Sequence, residues 1–370
     1  MGLYWAELAQ RRPVTHRIWS RSNDPVFRLT AVLVVVAAVV GAGATVRWNP
    51  QSSTPFAAQI ASLSEPGGYF DTDNLISNER SYLAVLPDLD RLSVRGGAYV
   101  GVGPDQNFSY IAHVRPSIAF ILDIRRDNLL LHLLFKALFD QARTRIEYLA
   151  LLFARPVPSD LDFWRDLPVA RLIDYINRPK VDPKSVDGLR ARLDTVVKRF
   201  GVPLTSEDMA TMDRFHRRFI DTGLELKFES TGRPPQYYYP TYGELLLETD
   251  GKGRQGNYLA LEEDFQFVKS LQAHDRIVPV VGNLSGPSAL AGIGRAIVDK
   301  GETLSAFYAS NVEFYLNREG SYQRFVSNLG RLPHTNHSVI IRSVFDRGMG
   351  VSRSIVQPVE ELLARSAAMR

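Results

Sequence analysis

Short apolar runs alternate with amphipathic stretches over most of the chain. The runs at 98–102 and 118–122 contain almost no polar side chains, which is typical of strands buried on both faces of a parallel sheet. Strand-like runs return at 277–281 and 303–309, and a last one follows Pro333 at 338–341. The pattern therefore predicts strands from both halves of the chain.

Helical periodicity fills the intervals between these runs. A short helix at 106–114 and one near 287–300 are predicted between strands, and a long amphipathic helix is predicted over 127–153. Pro-punctuated helical segments at 159–177, 183–200 and 205–222 indicate a helical insertion within about 154–235. The alternation favours an α/β fold with an open, doubly wound, mostly parallel, Rossmann-like sheet. This domain is predicted over 67–345, followed by a C-terminal tail or helix at 346–370.

One segment near the amino end has a different pattern. Residues 29–46 carry no charge and would form a helix about 27 Å long, close to the thickness of a bilayer. They are preceded by a basic segment, 1–28, and followed by a polar linker, 47–66. An uncleaved transmembrane anchor is favoured, and the alternative is a signal peptide cleaved near Ala44. The positive-inside rule then places the domain on the non-cytosolic side of a bacterial inner membrane, the alternatives being secretion or a cytosolic-facing domain.

Composition removes several classes of chemistry. The chain has no cysteine, which excludes disulfides, thiolate metal sites and thiol nucleophiles. The net charge of +4 comes largely from five arginines in the first 28 residues, so the folded part is nearly neutral and no nucleic-acid partner is expected. No metal site is predicted either, and the oligomeric state stays open.

The turn after the first predicted strand is the main candidate site. Gly101 and Gly103 would let the backbone approach a ligand, and Asp123 ends the next strand, where Rossmann-like folds place a carboxylate for ribose hydroxyls. Alternatively, Asp123 caps the following helix or pairs with Arg125 or Arg126. The predicted cofactor-binding residues are Gly101, Gly103, Asp105, Gln106, Asn107, Asp123, Arg125 and Asn128.

A second set of polar residues is expected to contact a substrate. Asn128, His132 and Lys136 recur every four residues and form a polar stripe on an apolar helix, which either lines a crevice or makes structural hydrogen bonds. Other candidates follow later strands or precede the first one. The predicted substrate-binding residues are Asn74, Asn78, Glu79, His132, Asn283, Ser285, Asn311 and Glu313.

Six stretches carry a resemblance to a known family: 69–79 (YFDTDNLISNE), 99–111, 120–139, 263–271, 278–290 (VPVVGNLSGPSAL) and 305–316. They resemble an uncharacterised bacterial family, first named from a leptospiral protein, whose fold is like that of class I S-adenosylmethionine-dependent methyltransferases. The resemblance implies S-adenosylmethionine as cofactor and methyl transfer to an unknown acceptor. Asn283 stands where the family pattern has Asp, which leaves an amide in place of a possible general base.

Two other functions stay open beside methyl transfer. One is a non-catalytic module of the same fold that binds a small-molecule ligand, and the other is a structural envelope protein with a plugged crevice. The predicted location weighs against catalysis, because S-adenosylmethionine is made in the cytosol. The choice among these three functions depends on whether the glycine turn and Asp123 share an open pocket.

Overall fold

A computed structural model describes residues 54–72, 74–232, 236–345 and 352–368. The predicted anchor at 29–46 and the basic segment before it lie outside these ranges. Among the described residues, no helix has the length and apolar character needed to cross a membrane.

The sheet has six strands, and its architecture confirms an α/β fold with a mostly parallel sheet. Along the sheet the strand order is β3-β2-β1-β4-β5-β6, and β6 alone runs antiparallel, beside β5. The order reverses between β1 and β4, which is the place where doubly wound folds leave a crevice. The strands are β1 Ala98–Gly101, β2 Ile118–Asp123, β3 Ile277–Val281, β4 Leu304–Ser310, β5 His334–Phe345 and β6 Ser352–Pro358.

Fifteen α-helices occur in the described residues, together with two short 3₁₀ helices, Tyr82–Val85 and Gly223–Glu225. The first helices are α1 Pro55–Leu63, α2 Leu86–Arg91, α3 Gln106–Val114, α4 Arg126–Gln141 and α5 Arg145–Leu152. The insertion supplies α6 Leu161–Trp164, α7 Val169–Asn177, α8 Pro183–Arg199 and α9 Ser206–Thr222. The remaining helices are α10 Tyr242–Leu247, α11 Glu262–Ala273, α12 Ala289–Asp299, α13 Val312–Arg318, α14 Tyr322–Leu329 and α15 Val359–Ala368.

Helix α11 packs against α3 and α4; α3 also contacts β1 and β4, and α4 contacts β2 and β3. Helices α8 and α9 of the insertion pack on α4. Elsewhere α1 packs against β3 and α15 packs against β5, while α12 contacts α1 and α14, and α14 contacts α15. The apolar side chains of these helices and of the strands form one buried core.

The predicted helix over 127–153 is two helices. The first ends at Gln141, and Ala142 has extended backbone. Thr144 then begins α5 as its N-cap, its hydroxyl accepting a hydrogen bond from the backbone N–H of Glu147. A threonine inside a periodic pattern can therefore start a new helix, because its side chain replaces a missing backbone acceptor.

Two segments predicted to lie outside the domain, one in the linker and one in the C-terminal tail or helix, pack against it. Residues 55–63 form α1, which begins with Thr54 as N-cap and Pro55 at its first position and buries Phe56 and Ile60. Residues 352–358 form β6, which pairs with β5 through seven residues, and α15 packs on β5.

Candidate ligand-binding site

An open cavity lies at the carboxyl ends of β1, β2, β3 and β4. Its empty volume is about 970 Å³, which includes the part open to solvent. Gly103 and Asp123, from the ends of neighbouring parallel strands, both line it. Other lining residues predicted from the sequence are Asn74, Asn78, Gln106, Arg125, Asn283 and Asn311.

The turn after β1 is held by Asn107, which does not line the cavity. Its side-chain amide donates to the carbonyl oxygens of Val102 (2.9 Å) and Pro104 (2.7 Å), and its oxygen accepts from Tyr99 Oη (2.8 Å). A Cβ on Gly101 would lie 1.9 Å from that oxygen, so Gly101 makes room for Asn107. Gly103 differs, because it lines the cavity and has a φ of 82°, which favours glycine.

Asp123 forms a buried ion pair with Arg125. This pairing is one of the alternatives that the sequence left open for Asp123. Its Oδ1 accepts from the backbone N–H (2.9 Å) and Nε (3.2 Å) of Arg125, and its Oδ2 accepts from Nη2 (3.0 Å). The remaining guanidinium nitrogen, Nη1, donates to the carbonyl of Thr72 (2.6 Å). A carboxylate offers about four lone-pair sites, so Asp123 keeps one, on Oδ2, for a ligand.

The charged groups of the lining are few. Asp123 and Glu319 are acidic, and Arg125 is basic but already paired. Among the lining residues that the structure describes, no lysine and no second arginine is present. The described part of the lining therefore carries an excess of negative charge, and it offers no free cation to a phosphate group.

Aromatic side chains form one wall of the cavity. Phe70 and Tyr315 pack edge to face with ring centroids 4.8 Å apart, and both line the cavity. Phe228 lines it from another direction and is backed by Tyr239 at 5.3 Å. Tyr69, which is 79% exposed, stands at the opening. Such rings provide stacking surfaces for a planar ligand group.

Gln106 connects the cavity to a buried carboxylate. Its Nε2 donates to Tyr308 Oη (3.3 Å), which in turn donates to Glu79 Oε2 (3.0 Å). Ser310, another lining residue, donates to the second oxygen of Glu79 (2.5 Å). Burial raises the pKa of Glu79, and the hydrogen bonds from Ser310 and Tyr308 oppose that increase. Glu79 thus lies behind the cavity, not on its surface.

Two lining residues have left-handed backbone without being glycine. Asn74 has a φ of 49° and Ser310 a φ of 52°. Asparagine tolerates this region, but for serine it is strained and must be imposed by its surroundings. At Ser310 the conformation accompanies the hydrogen bond to Glu79 at the end of β4.

Asp105 lies away from the cavity in a cluster of tyrosines. Its Oδ2 accepts from Tyr242 Oη (2.6 Å) and Tyr258 Oη (3.2 Å), and the residue is 4% exposed. Burial raises its pKa to about 6, although the two tyrosine hydrogen bonds lower it. The predicted contact between Asp105 and a cofactor has no support in this placement.

The raised pKa of Asp105 predicts a pH-dependent stability. The folded chain binds a proton between about pH 4 and pH 6 that the unfolded chain has released, so the free energy of unfolding falls as pH rises through this range. A shift of this size corresponds to about 3 kcal/mol. Asp105→Asn should remove most of this fall between pH 4 and pH 8, measured by urea denaturation at each pH.

The control for this experiment is Asp162→Asn, because the Asp162 side chain is 88% exposed. Its profile should follow that of the wild type. Parallel profiles for Asp105→Asn and the wild type would show that Asp105 does not titrate in this way.

The polar stripe on α4 is buried and does not line the cavity. His132 Nε2 lies 2.9 Å from the carbonyl of Gly103 and must donate to it, which fixes the tautomer. Burial lowers the pKa of His132 to about 4, so the ring is neutral at physiological pH. Among the residues that the structure describes, His132 Nδ1 and both polar atoms of Asn128 have no hydrogen-bond partner. Lys136 pairs with Asp275 at 2.8 Å. His132 therefore supports the Gly103 turn from behind.

The last two predicted substrate residues take part in local structure. Ser285 donates through its backbone N–H and its hydroxyl to Asn283 Oδ1 (2.8 and 2.9 Å). Glu313 is buried and binds both Nε (2.7 Å) and Nη2 (2.5 Å) of Arg342 on β5. Neither residue lines the cavity.

Several residues that line the cavity have no sequence feature that would predict this position. In the segment 69–79 the sequence indicates polar candidates, whereas Tyr69 and Phe70 also line the cavity. Tyr315 and Phe228 also contribute, and an aromatic residue in a periodic pattern is more often part of the core. Tyr239 does not line the cavity itself and packs behind Phe228.

A comparison with protein families finds one match. Residues 74–157 and 237–366 match the family described as a domain of unknown function, DUF7790, and together make up more than half of the chain. The match omits 158–236, which contains α6 to α9. No curated protein matches the chain. The resemblance to methyltransferase-like proteins gains no support from these comparisons and stays a prediction.

Proposed function

Since the chain belongs to the DUF7790 family, whose description assigns no function, we propose one from the cavity: it binds a nucleoside-containing small molecule with a positive charge, S-adenosylmethionine being the best fit. The observation that carries this proposal is the meeting of Gly103, Asp123 and the aromatic wall in one open cavity where the strand order reverses. Rossmann-like sheets bind nucleotide-like ligands at this position.

The charge of the lining supports a cation and opposes a phosphate. Asp123 and Glu319 exceed the single Arg125, and that arginine is already bound to Asp123 and Thr72. A dinucleotide would bring at least two negative charges into this site, and the described lining has no free cation to pair with them. S-adenosylmethionine instead carries two positive groups, a sulfonium and an ammonium, and only one carboxylate of its own. Its adenine can stack on the rings, and one ribose hydroxyl can donate to the free lone pair of Asp123.

Methyl transfer is the reaction that the resemblance suggests, and it depends mainly on in-line orientation of the acceptor. Asn283 and Asn311 lie in the lining and could orient such an acceptor. Glu313 is bound to Arg342, which removes it from that role. The pairing of Asp123 leaves no buried free base in the described lining, and this favours a second candidate function, ligand binding without turnover.

Isothermal titration of the full-length chain tests the proposal. We expect S-adenosylhomocysteine and S-adenosylmethionine to bind at least about tenfold more tightly than ATP, a difference of about 1.4 kcal/mol. The absence of heat with millimolar S-adenosylhomocysteine, or equal affinity for ATP, would contradict the proposal. Formation of S-adenosylhomocysteine from the bound cofactor, in the presence of a cell extract as acceptor source, would separate turnover from binding alone.

A matched pair of variants locates the binding. Asn311→Trp should fill the cavity mouth and abolish the heat signal, because Asn311 is half-buried in the lining. Asn317→Trp places the same ring on the exposed surface of α13, outside the lining, and should bind like the wild type. Equal loss in both variants would indicate a general effect on folding.

A further inference from the structure

A second depression, the side groove, lies next to the cavity. It is lined by Glu65, by residues of the loop 283–287 after β3 and by residues of the segment 324–331 at α14, and its empty volume is about 1020 Å³, including the part open to solvent. Asn328 of α14 donates to the carbonyls of Leu284 (3.0 Å) and Gly286 (2.8 Å), which fixes the loop against the helix. Asn283 lines both the cavity and the side groove, so the two spaces adjoin at this residue.

Two arginines of the side groove have no partner among the described residues. Arg324 and Arg331 line the groove and are exposed, and neither guanidinium group makes an ion pair or a hydrogen bond with the described part of the chain. Ser327, one helical turn after Arg324, adds an exposed hydroxyl to the same lining. The helix side of the groove therefore carries two unpaired positive charges.

The acidic residue of the described lining, Glu65, is bound elsewhere. Its Oε1 accepts from the backbone N–H groups of Ser288 (2.6 Å) and Ala289 (2.7 Å) at the start of α12, and its Oε2 accepts from that of Asn283 (3.3 Å). Burial raises the pKa of Glu65, but these N–H bonds outweigh burial and lower the pKa below its ordinary value. Glu65 is thus an ionised carboxylate that balances the helix N-terminus and pairs with neither arginine.

The amide of Asn283, at the border of the two spaces, has a fixed orientation. Its Oδ1 accepts from the backbone N–H (2.8 Å) and the hydroxyl (2.9 Å) of Ser285. A backbone N–H can only donate, so the atom that it contacts must be the oxygen, and the NH₂ group is turned away from Ser285. Asn283 is half-buried, and its Nδ2 is not among the buried polar atoms without a partner, so this donor is accessible to a ligand.

We propose that the side groove binds an oxyanion, the carboxylate or phosphate of a small molecule whose other end reaches the cavity past Asn283. The groups left for a ligand are the guanidinium groups of Arg324 and Arg331, the NH₂ group of Asn283 and the hydroxyl of Ser327, all of which can donate. Guanidinium groups bind carboxylates and phosphates through paired hydrogen bonds. That this molecule is the methyl acceptor rests on the proposed function; the oxyanion site does not.

Protection from chemical modification tests the site in the full-length chain without any adenosyl compound. Phenylglyoxal modifies free arginine side chains, and peptide mass spectrometry follows each arginine separately. Millimolar phosphate or succinate should slow the modification of Arg324 and Arg331 several-fold relative to chloride at equal ionic strength, and the stronger protector identifies the class of oxyanion. Arg192, which is exposed on α8 and has no ion pair with a described residue, is the control and should react equally fast in all three salts.

Two variants test the assignment of the donors. Asn283→Asp keeps an oxygen for Ser285 and replaces the NH₂ group by a second carboxylate oxygen, so phosphate should no longer protect the arginines. Arg324→Gln should weaken the protection of Arg331, because both guanidinium groups contact one anion, whereas Arg192→Gln should leave it unchanged. Equal modification rates in phosphate, succinate and chloride, or equal protection of Arg192, would overturn the inference.

Calorimetry with S-adenosylhomocysteine separates the side groove from the adenosyl site. Arg324→Gln should bind this compound like the wild type, because Arg324 lines the groove and not the cavity. A loss of this affinity in Arg324→Gln would place the arginine in the adenosyl site and overturn the inference. If S-adenosylhomocysteine binds neither chain while phosphate still protects Arg324 and Arg331, the proposed function fails and the oxyanion site stands.

Discussion

Asp123→Ala is expected to lower the free energy of unfolding by about 3–5 kcal/mol, the cost of removing one partner from a buried ion pair. The Arg125 side chain is 6% exposed and directs three of its hydrogen bonds, counting its backbone N–H, at the Asp123 carboxylate. Without that carboxylate, the guanidinium keeps only its bond to Thr72. Urea denaturation of the full-length chain measures the loss.

The double variant Asp123→Leu with Arg125→Met separates stability from binding. It removes both charges, so most of the lost stability should return, whereas adenosyl ligands should still fail to bind. A double variant as unstable as Asp123→Ala would contradict the pairing argument. An Asp123→Ala variant within about 1 kcal/mol of the wild type would show that Arg125 finds other partners. Loss of binding in Asp123→Ala alone is therefore no proof of a ligand contact.

The central strands could be predicted because burial on both faces leaves a direct mark on a sequence. The runs at 98–102, 118–122 and 277–281 agree closely with β1, β2 and β3. Strand β6 has no such mark. It is an edge strand with polar residues at Ser352, Arg353 and Ser354, and its pairing with β5 depends on contacts far along the chain. Edge strands need fewer apolar residues, so a pattern search misses them.

The candidate site could be located from its glycine turn and carboxylate, but its chemistry could not. Sequence spacing brings Gly103 and Asp123 to one edge of the sheet. Whether Asp123 is free or paired depends on the rotamer of Arg125, two residues away. The hydrogen bonds from Gln106 to Tyr308 and from Tyr308 to Glu79 join residues that are remote from one another in sequence. Side-chain hydrogen bonds between distant residues are settled only by the folded structure.

Arg145→Met is expected to lower the free energy of unfolding by about 3–5 kcal/mol. In the wild type the buried guanidinium donates to several backbone carbonyls, and the substitution leaves these carbonyls without their donor. Arg145 is 1% exposed. Its Nη1 donates to the carbonyls of Leu259 (2.8 Å) and Ala260 (2.6 Å), and its Nη2 donates to those of Arg165 (2.8 Å) and Leu167. Thus one side chain joins α5, the segment before α11 and the start of the insertion.

Arg145→Lys should recover only part of the loss, since an ammonium has three donors at one point and cannot reach four carbonyls in two directions. Arg143→Met is the control: the Arg143 side chain is 73% exposed, so its removal should leave the free energy of unfolding close to that of the wild type. Limited proteolysis adds a local measurement, with faster cleavage expected near 165–167 in Arg145→Met. A fully stable Arg145→Met chain would mean that the packing of the insertion on α4 and α5 holds it without these hydrogen bonds.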